Sequence, residues 1–348
     1  MYAILGKSRR SAIPDRQSER QQWLKSLPSR YGLDCQSEEP ASADASFRSY
    51  YRLKGEGGKT YIVMDAPPAK ESVAPFMKVT ALFEKAGLNV PHIFEADEKA
   101  GFLLLSDLGR QTFLDVLNES NARELLTQAT DSLIRWQTST EEGVLPEYSR
   151  ELLSRELNLF PEWYIARHRQ TELNDRQKSI LKICFERILQ NNLAQPKVFV
   201  HRDFMPRNLM VSDGPLPGIL DYQDAVYGPV TYDIASLLRD AFISWNEEFV
   251  IDMTIRYWEK ARAAGLPVAH DFGQFWKDVE WMGLQRHLKV LGIFARINYR
   301  DGKPKYLADT PRFLGYVRQT ANRYDELRPL LYLVDEIEQT VPQYGYTF

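Results

Sequence analysis

The run His201-Arg202-Asp203-Phe204-Met205-Pro206-Arg207-Asn208 is followed by Gly218-Ile219-Leu220-Asp221-Tyr222. It reads H-R-D-x-x-x-x-N and then a short apolar segment ending in Asp. Such spacing suits phosphoryl transfer. One carboxylate accepts the proton of an attacking hydroxyl, while an amide and a second carboxylate hold a magnesium ion on a triphosphate. Asp203 is the expected base, and Asn208 and Asp221 are the expected Mg2+ ligands. His201 is expected to brace the loop by hydrogen bonds. Asp233, near a helix start, is expected to accept backbone or arginine donors from the same loop. Asp224 is read with equal weight as a cap or a metal contact.

Such groups work only if rigid elements hold them. Val198-Phe199-Val200 is an apolar run that can end as a strand just before the loop. Leu209-Met210-Val211 and Gly218-Ile219-Leu220 form two more, joined by the turn-rich Ser212-Asp213-Gly214-Pro215. That hairpin returns Asn208 and Asp221 to one edge.

Upstream, residues as far as about Asp15 read as a loose terminus, and Glu19 to Leu27 as a short helix. Ser46–Leu53 and Thr60–Met64 read as a hairpin around Gly55-Glu56-Gly57-Gly58. Val73–Ala86 is a predicted helix closed by Gly87, and strands are predicted over Ile93–Ala96 and Gly101–Leu105. After Ser106-Asp107-Leu108-Gly109 the pattern turns mostly helical, with helices over 112–118, 122–137, 150–159 and 175–189 and more from Ile234 to the end. The expected fold class is α+β: a protein-kinase-like, two-lobed arrangement with a small, mostly β N-lobe over 1–107 and a larger helical C-lobe over 108–348.

Composition sets outer bounds. A formal net charge of -3 gives no pull toward nucleic acid or an anionic membrane surface. Two cysteines, Cys35 and Cys184, are too few for a disulfide framework and suggest a reducing compartment. No apolar run is long enough to span a bilayer, and the first ten residues carry their charges after a short apolar patch, the reverse of a secretory signal. A cytoplasmic location and a monomeric state are the expectations, with no nucleic-acid or membrane partner.

Following the loop, Asp221 to Ala235 carries D-x-x-D-A-x-x-G-x-x-x-Y-D-x-A. With the loop itself, this resembles the aminoglycoside phosphotransferase and choline kinase group, over most of the chain. No A-P-E segment or long activation loop is present, which favours a small-molecule kinase over a protein kinase. Ser46-Phe47-Arg48-Ser49-Tyr50-Tyr51-Arg52, Val63-Met64-Asp65-Ala66-Pro67-Pro68, Leu159-Phe160-Pro161-Glu162-Trp163-Tyr164 and Gln285–Arg296 are similar to the anomeric kinases of cell-wall recycling. That resemblance implies ATP and Mg2+ as cofactors and a small amino sugar as acceptor. The sugar would be N-acetylmuramate or N-acetylglucosamine, phosphorylated at C1. Rival readings are the same fold acting on an aminoglycoside, choline or ethanolamine, and a nucleotide-binding regulator without turnover.

The N-terminal part departs from the wider kinase pattern. Met64 stands where a strand lysine is usual, and Phe76 where its glutamate partner would be. Alternation places Ser46, Arg48, Tyr50 and Arg52 on one strand face, so Arg48 or Arg52 is read either as a phosphate donor or as an ordinary surface arginine. Small residues including Ser46 would supply backbone donors to phosphate. Met64 and Leu105 would line the adenine slot, with Asp107 and Leu108 at the hinge. For the acceptor, Arg207 joins Asp203. Glu156, Trp163 and Tyr164 read either as a sugar-holding set or as core packing. Arg286 and Lys289, at helical spacing, read either as a binding face for a carboxylate or as a solvated one.

Overall fold

The structure, a computed structural model, describes residues 15–42 and 47–340. The chain folds into two compact units. The first takes the chain up to Thr80 and Pro91–Leu108, and the second takes Ala81–Val90 and the chain from Gly109 onward.

In the first unit, β1 (Asp34–Ser42), β2 (Ser49–Lys54), β3 (Thr60–Asp65), β4 (Ile93–Asp97) and β5 (Phe102–Ser106) form one antiparallel sheet in the order β1-β2-β3-β5-β4. β1 is not expected from sequence. Its Asp34-Cys35-Gln36-Ser37-Glu38-Glu39-Pro40 shows no apolar alternation. An edge strand can do without it, and only an edge tolerates the proline. Helix α1 (Arg16–Ser26) starts on Asp15, whose carboxylate accepts the Ser18 N–H at 3.0 Å.

Register separates the two faces of this sheet. Tyr51, Leu53, Tyr61, Val63 and Leu104 pack with Leu24 of α1 and Tyr31. Asp65 lies on that side too and is held by Arg16 and Arg20, each at 2.7 Å. Tyr50 and Arg52 therefore share the opposite face with Ile62, Met64, Leu103 and Leu105.

Helix α2 (Ala74–Lys85) ends at Gly87, whose φ of +70° is the left-handed conformation glycine adopts freely. The second unit adds α3 (Phe113–Val116), α4 (Ala122–Thr138), α5 (Arg150–Leu159), a π-helical stretch over Phe160–His168, and α6 (Asp175–Leu193). Then come strands β6 (Lys197–Val200), β7 (Leu209–Met210), β8 (Gly218–Ile219) and β9 (Val226–Pro229). The chain continues through α7 (Tyr232–Leu238), α8 (Glu247–Ala263), α9 (Phe272–Asp301), α10 (Thr310–Arg323) and α11 (Arg328–Glu338).

Thirty-residue α9 is the axis of this unit, buried continuously from Val279 to Gly292 and packed by α5, α6, α7, α10 and the π-helix. β6 pairs with β9 and β7 with β8, both antiparallel. The β7–β8 hairpin is tied at both ends, since the Asn89 carbonyl accepts from Ile219 N–H at 2.8 Å and the Gln111 carbonyl from Val211 N–H at 2.9 Å.

Candidate active site

β6 delivers the chain into the loop that begins at His201. Asp233, in the first turn of α7, fixes where the loop starts. Its two oxygens accept the His201 N–H at 2.7 Å and the Arg202 N–H at 3.0 Å. Asp233 is fully buried, and burial pushes its carboxyl up to about 7 against those two donors and the nearby Arg286 charge.

His201 is fully buried as well. Its Nε2 faces the Leu220 carbonyl at 3.0 Å, and its Nδ1 accepts the Asp203 N–H at 3.2 Å. A carbonyl only accepts and an amide N–H only donates, so the imidazole is neutral with its proton on Nε2. Burial lowers its pKa to about 4, which agrees. Phe83, Phe204 and Tyr222 stand around the ring, and Phe83 stacks on Trp136 at 3.9 Å. The histidine is thus a cross-brace from Leu220, beside Asp221, to the backbone of Asp203.

Asn208 closes the loop. Its side-chain amide donates to the Asp203 carbonyl at 2.9 Å and lies 3.4 Å from Asp221 Oδ2, while its own carbonyl accepts from Leu220 N–H at 2.9 Å. Asp221 Oδ1 accepts from Gln223 Nε2 at 2.9 Å. Two residues here hold left-handed backbone that non-glycine residues seldom adopt: Arg202, with φ of +78°, and Asp221, with φ of +63°. Strain of this kind gathers where surrounding contacts impose a geometry that function uses. An amide and an exposed carboxylate side by side form an oxygen-donor pair that fits a hard divalent cation whose remaining ligands are phosphate and water.

Arg207 lies over the Phe242 ring at 5.0 Å. Asp224 is exposed, and its carbonyl meets Arg202 Nη1 at 3.4 Å.

The structure decides several alternatives that the sequence leaves open. Glu156 is 5% exposed, with both oxygens occupied. Oε1 meets Arg202 Nη2 at 2.7 Å and Lys289 Nζ at 3.0 Å; Oε2 accepts from the Tyr148 hydroxyl and from Gln285 Nε2 at 3.3 Å. Burial would raise this carboxyl, but the Lys289 and Arg202 charges outweigh it and hold the group down at about 2. Lys289 also reaches the Tyr232 hydroxyl at 3.1 Å. With Arg286 3% and Lys289 9% exposed, neither belongs to a solvated face. Tyr164 is core, stacked on Phe160 and hydrogen-bonded to Glu338 at 3.0 Å, whereas Trp163 beside it is half-buried.

In the first unit, Met64 and Phe76 are both buried, so the positions of the usual lysine and glutamate are apolar together. Arg48 and Arg52 are buried too, which excludes the surface-arginine reading. Arg48 pairs with Glu71, and Arg52 makes a two-pronged bond to Asp107 at 2.5 and 2.9 Å. The hinge carboxylate is therefore tied to the strand. Ser106 N–H is taken by the His92 carbonyl at 2.9 Å. Leu105 is buried on the Met64 face, while Ser46 lies outside the described residues.

A neutral histidine brace and a paired amide and carboxylate beside an aspartate are an arrangement that suits phosphoryl transfer. The chain belongs to the phosphotransferase enzyme family, whose model matches residues 37–271. It is 52% identical over 313 residues to an N-acetylmuramate/N-acetylglucosamine kinase of Neisseria meningitidis serogroup B, covering 88% of this chain and 93% of that one. It is likewise 52% identical over 300 residues to a protein of the same name from Pseudomonas aeruginosa, covering 86% and 88%. Among solved structures it shares its fold with choline kinase LicA from Streptococcus pneumoniae (TM-score 0.59, 15% identity, 87% of this chain and 100% of that one). The ADP-bound aminoglycoside phosphotransferase APH(2'')-Ib matches similarly (TM-score 0.57, 14% identity, 88% and 99%).

Proposed function

We propose that this chain is an ATP- and Mg2+-dependent sugar kinase that phosphorylates the anomeric hydroxyl of N-acetylmuramate and N-acetylglucosamine. The observation that carries the chemistry is the convergence of Asp203, Asn208 and Asp221 on one braced loop, with Asn208 touching both of the others. The choice of acceptor is supported by the two relatives named for those sugars, each matched over most of its length.

In the reaction, Asp203 orients the C1 hydroxyl and takes its proton as the new O–P bond forms to the γ-phosphorus. The bridging Pβ–O–Pγ bond breaks, and ADP and the sugar 1-phosphate result. Asn208 and Asp221 would hold Mg2+, which offsets phosphate charge when bound. An anomeric hydroxyl is more acidic than an ordinary alcohol, so a carboxylate of ordinary basicity suffices. Arg48 stands in for the missing strand lysine at the phosphates while Arg52 is held by Asp107, Met64 and Leu105 face the adenine, and Asp107 and Leu108 offer it backbone groups. Arg207 and the half-buried Trp163 are the acceptor contacts. Glu156 and Lys289 are taken up by each other and by Arg202, Tyr148, Gln285 and Tyr232, so this reading does not assign them to the sugar. The enzyme acts as a cytoplasmic monomer, and its product feeds nucleotide-sugar synthesis in cell-wall recycling.

The test is ADP release from purified protein offered ATP, Mg2+ and a panel of acceptors, with NMR of the product. The expected outcome is turnover on the two amino sugars with phosphorus on the C1 oxygen, reduced about 10^2- to 10^4-fold in Asp203→Asn. Turnover confined to choline or an aminoglycoside would overturn the acceptor. ATP binding without turnover on any acceptor would point to a regulatory protein.

A further inference from the structure

Arg202 presents a difficulty that the rest of the loop does not explain. It is the residue before the base, and its φ of +78° is one that glycine takes without strain and arginine resists. Something must hold it there. Its backbone N–H is fixed by Asp233 at 3.0 Å, but Asp233 would hold a glycine equally well. What an arginine adds is its side chain, which turns away into the unit. Its guanidinium meets Glu156 at 2.7 Å, the Asp224 carbonyl at 3.4 Å and the Tyr148 ring at 5.6 Å.

Glu156 is placed to anchor it. The carboxylate belongs to α5, is held from α9 by Lys289 and Gln285, and receives the Tyr148 hydroxyl from the segment bridged to Tyr227 of β9. These three partners, two on α9 and one on the segment before α5, hold it in the orientation in which it meets Arg202.

We propose that Glu156 is a positioning residue for phosphoryl transfer: it locks Arg202 in left-handed backbone and so sets the direction in which the adjoining Asp203 carboxylate points. This inference rests on the kinase reading above and assigns Glu156 a role in turnover number rather than in sugar affinity. Lys289 serves the same lock at the same oxygen, Oε1, that meets Arg202.

The experiment is a double-mutant cycle on the full chain, using Glu156→Gln, Arg202→Gly and the pair, with kcat and both KM values for ATP and sugar. Glu156→Gln is expected to lower kcat about 10- to 100-fold, the scale of a misaimed catalytic group, and to leave both KM values within about threefold. Against Arg202→Gly, the same change is expected to cost less than about threefold, because the residue through which it acts is gone. Glu156→Asp, which keeps the charge and shortens the reach, is expected to fall between and carries the comparison if the glutamine variant does not fold. Equal losses in both backgrounds would overturn the proposal. So would a raised sugar KM with kcat preserved, which is the signature of direct contact. A wild-type protein without turnover on any acceptor would overturn the kinase reading and this inference together, whereas an active wild type with an additive cycle overturns this inference alone.

Discussion

At His201 the two ring nitrogens meet groups of opposite kind, a carbonyl oxygen and an amide N–H, so only the neutral ring satisfies both. Protonation would aim an N–H at the Asp203 N–H and add charge to a fully buried site. The folded pKa near 4 lies below the ordinary value of about 6.5, so between those limits the unfolded chain binds more protons than the folded one. The resulting stability is complete above pH about 6.5 and is lost as pH falls toward 4, a total of about 3 kcal/mol at most. His201→Asn removes that term. The stability difference between wild type and variant, read by urea unfolding, is expected to be largest at pH 7 and to shrink steadily to pH 4.5. A pH-independent difference would show that the ring is not held neutral. These residues are readable from sequence because His201, Asp203 and Asn208 share one short run whose spacing is set by the backbone itself. Glu156 is not readable in that way. It lies 46 residues from Arg202, and a glutamate on an amphipathic helix looks the same in sequence whether it faces water or an arginine.

The elements behind the loop depend on close approach. A Cβ added at Gly292 of α9 would lie 2.4 Å from the backbone carbon and oxygen of Leu159, the last residue of α5. Neither atom can move without displacing the helix that carries Glu156 or the π-helical turn after it. Gly292→Ala is therefore expected to destabilise the protein by about 1–3 kcal/mol and lower its melting temperature by several degrees, although alanine is the better helix former. A melting temperature equal to or above wild type would show that the two helices are not locked at this point. The same region marks where sequence reading stopped. The helix expected over 150–159 is followed by a π-helical stretch over Phe160–His168, packed on α9, that the sequence pattern does not announce. The basic positions of α9 look like a wet face because one helix shows only its own periodicity; the buried carboxylate and phenol opposite Lys289 come from α5 and α7. β1 and β9 are missed for a related reason. Both are specified by their partners β2 and β6, since neither Asp34–Ser42 nor Val226–Pro229 alternates. The strands and helices with strong periodicity, β2 to β5 and α2 to α6, lie within a few residues of where the pattern places them, and the α+β class follows from their order.

At the scale of the whole molecule, no helix among the described residues is long and apolar enough to cross a membrane. The division into two units does have a consequence that measurement can reach. The nucleotide candidates Arg48, Arg52, Met64 and Leu105 belong to the first unit, and the proposed cation ligands Asn208 and Asp221 to the second. A non-hydrolysable ATP analogue and Mg2+ should therefore stabilise the protein through residues of separate units, and their contributions should be separable by mutation. Each ligand that binds only the folded state adds RT ln(1 + [L]/Kd), about 2.7 kcal/mol at a hundredfold excess over Kd, or about 5 °C in a chain of this size. Adding Mg2+ to the analogue-bound wild type is expected to raise the melting temperature further. In Asp221→Asn that increment should vanish while the metal-free analogue shift persists. In Arg48→Gln the analogue shift itself should shrink, because a buried guanidinium that can bond phosphate has been replaced by a neutral amide. An Mg2+ increment that survives intact in Asp221→Asn would remove that carboxylate from the proposed metal site, and with it the arrangement of Asp203, Asn208 and Asp221 through which the proposed phosphoryl transfer runs.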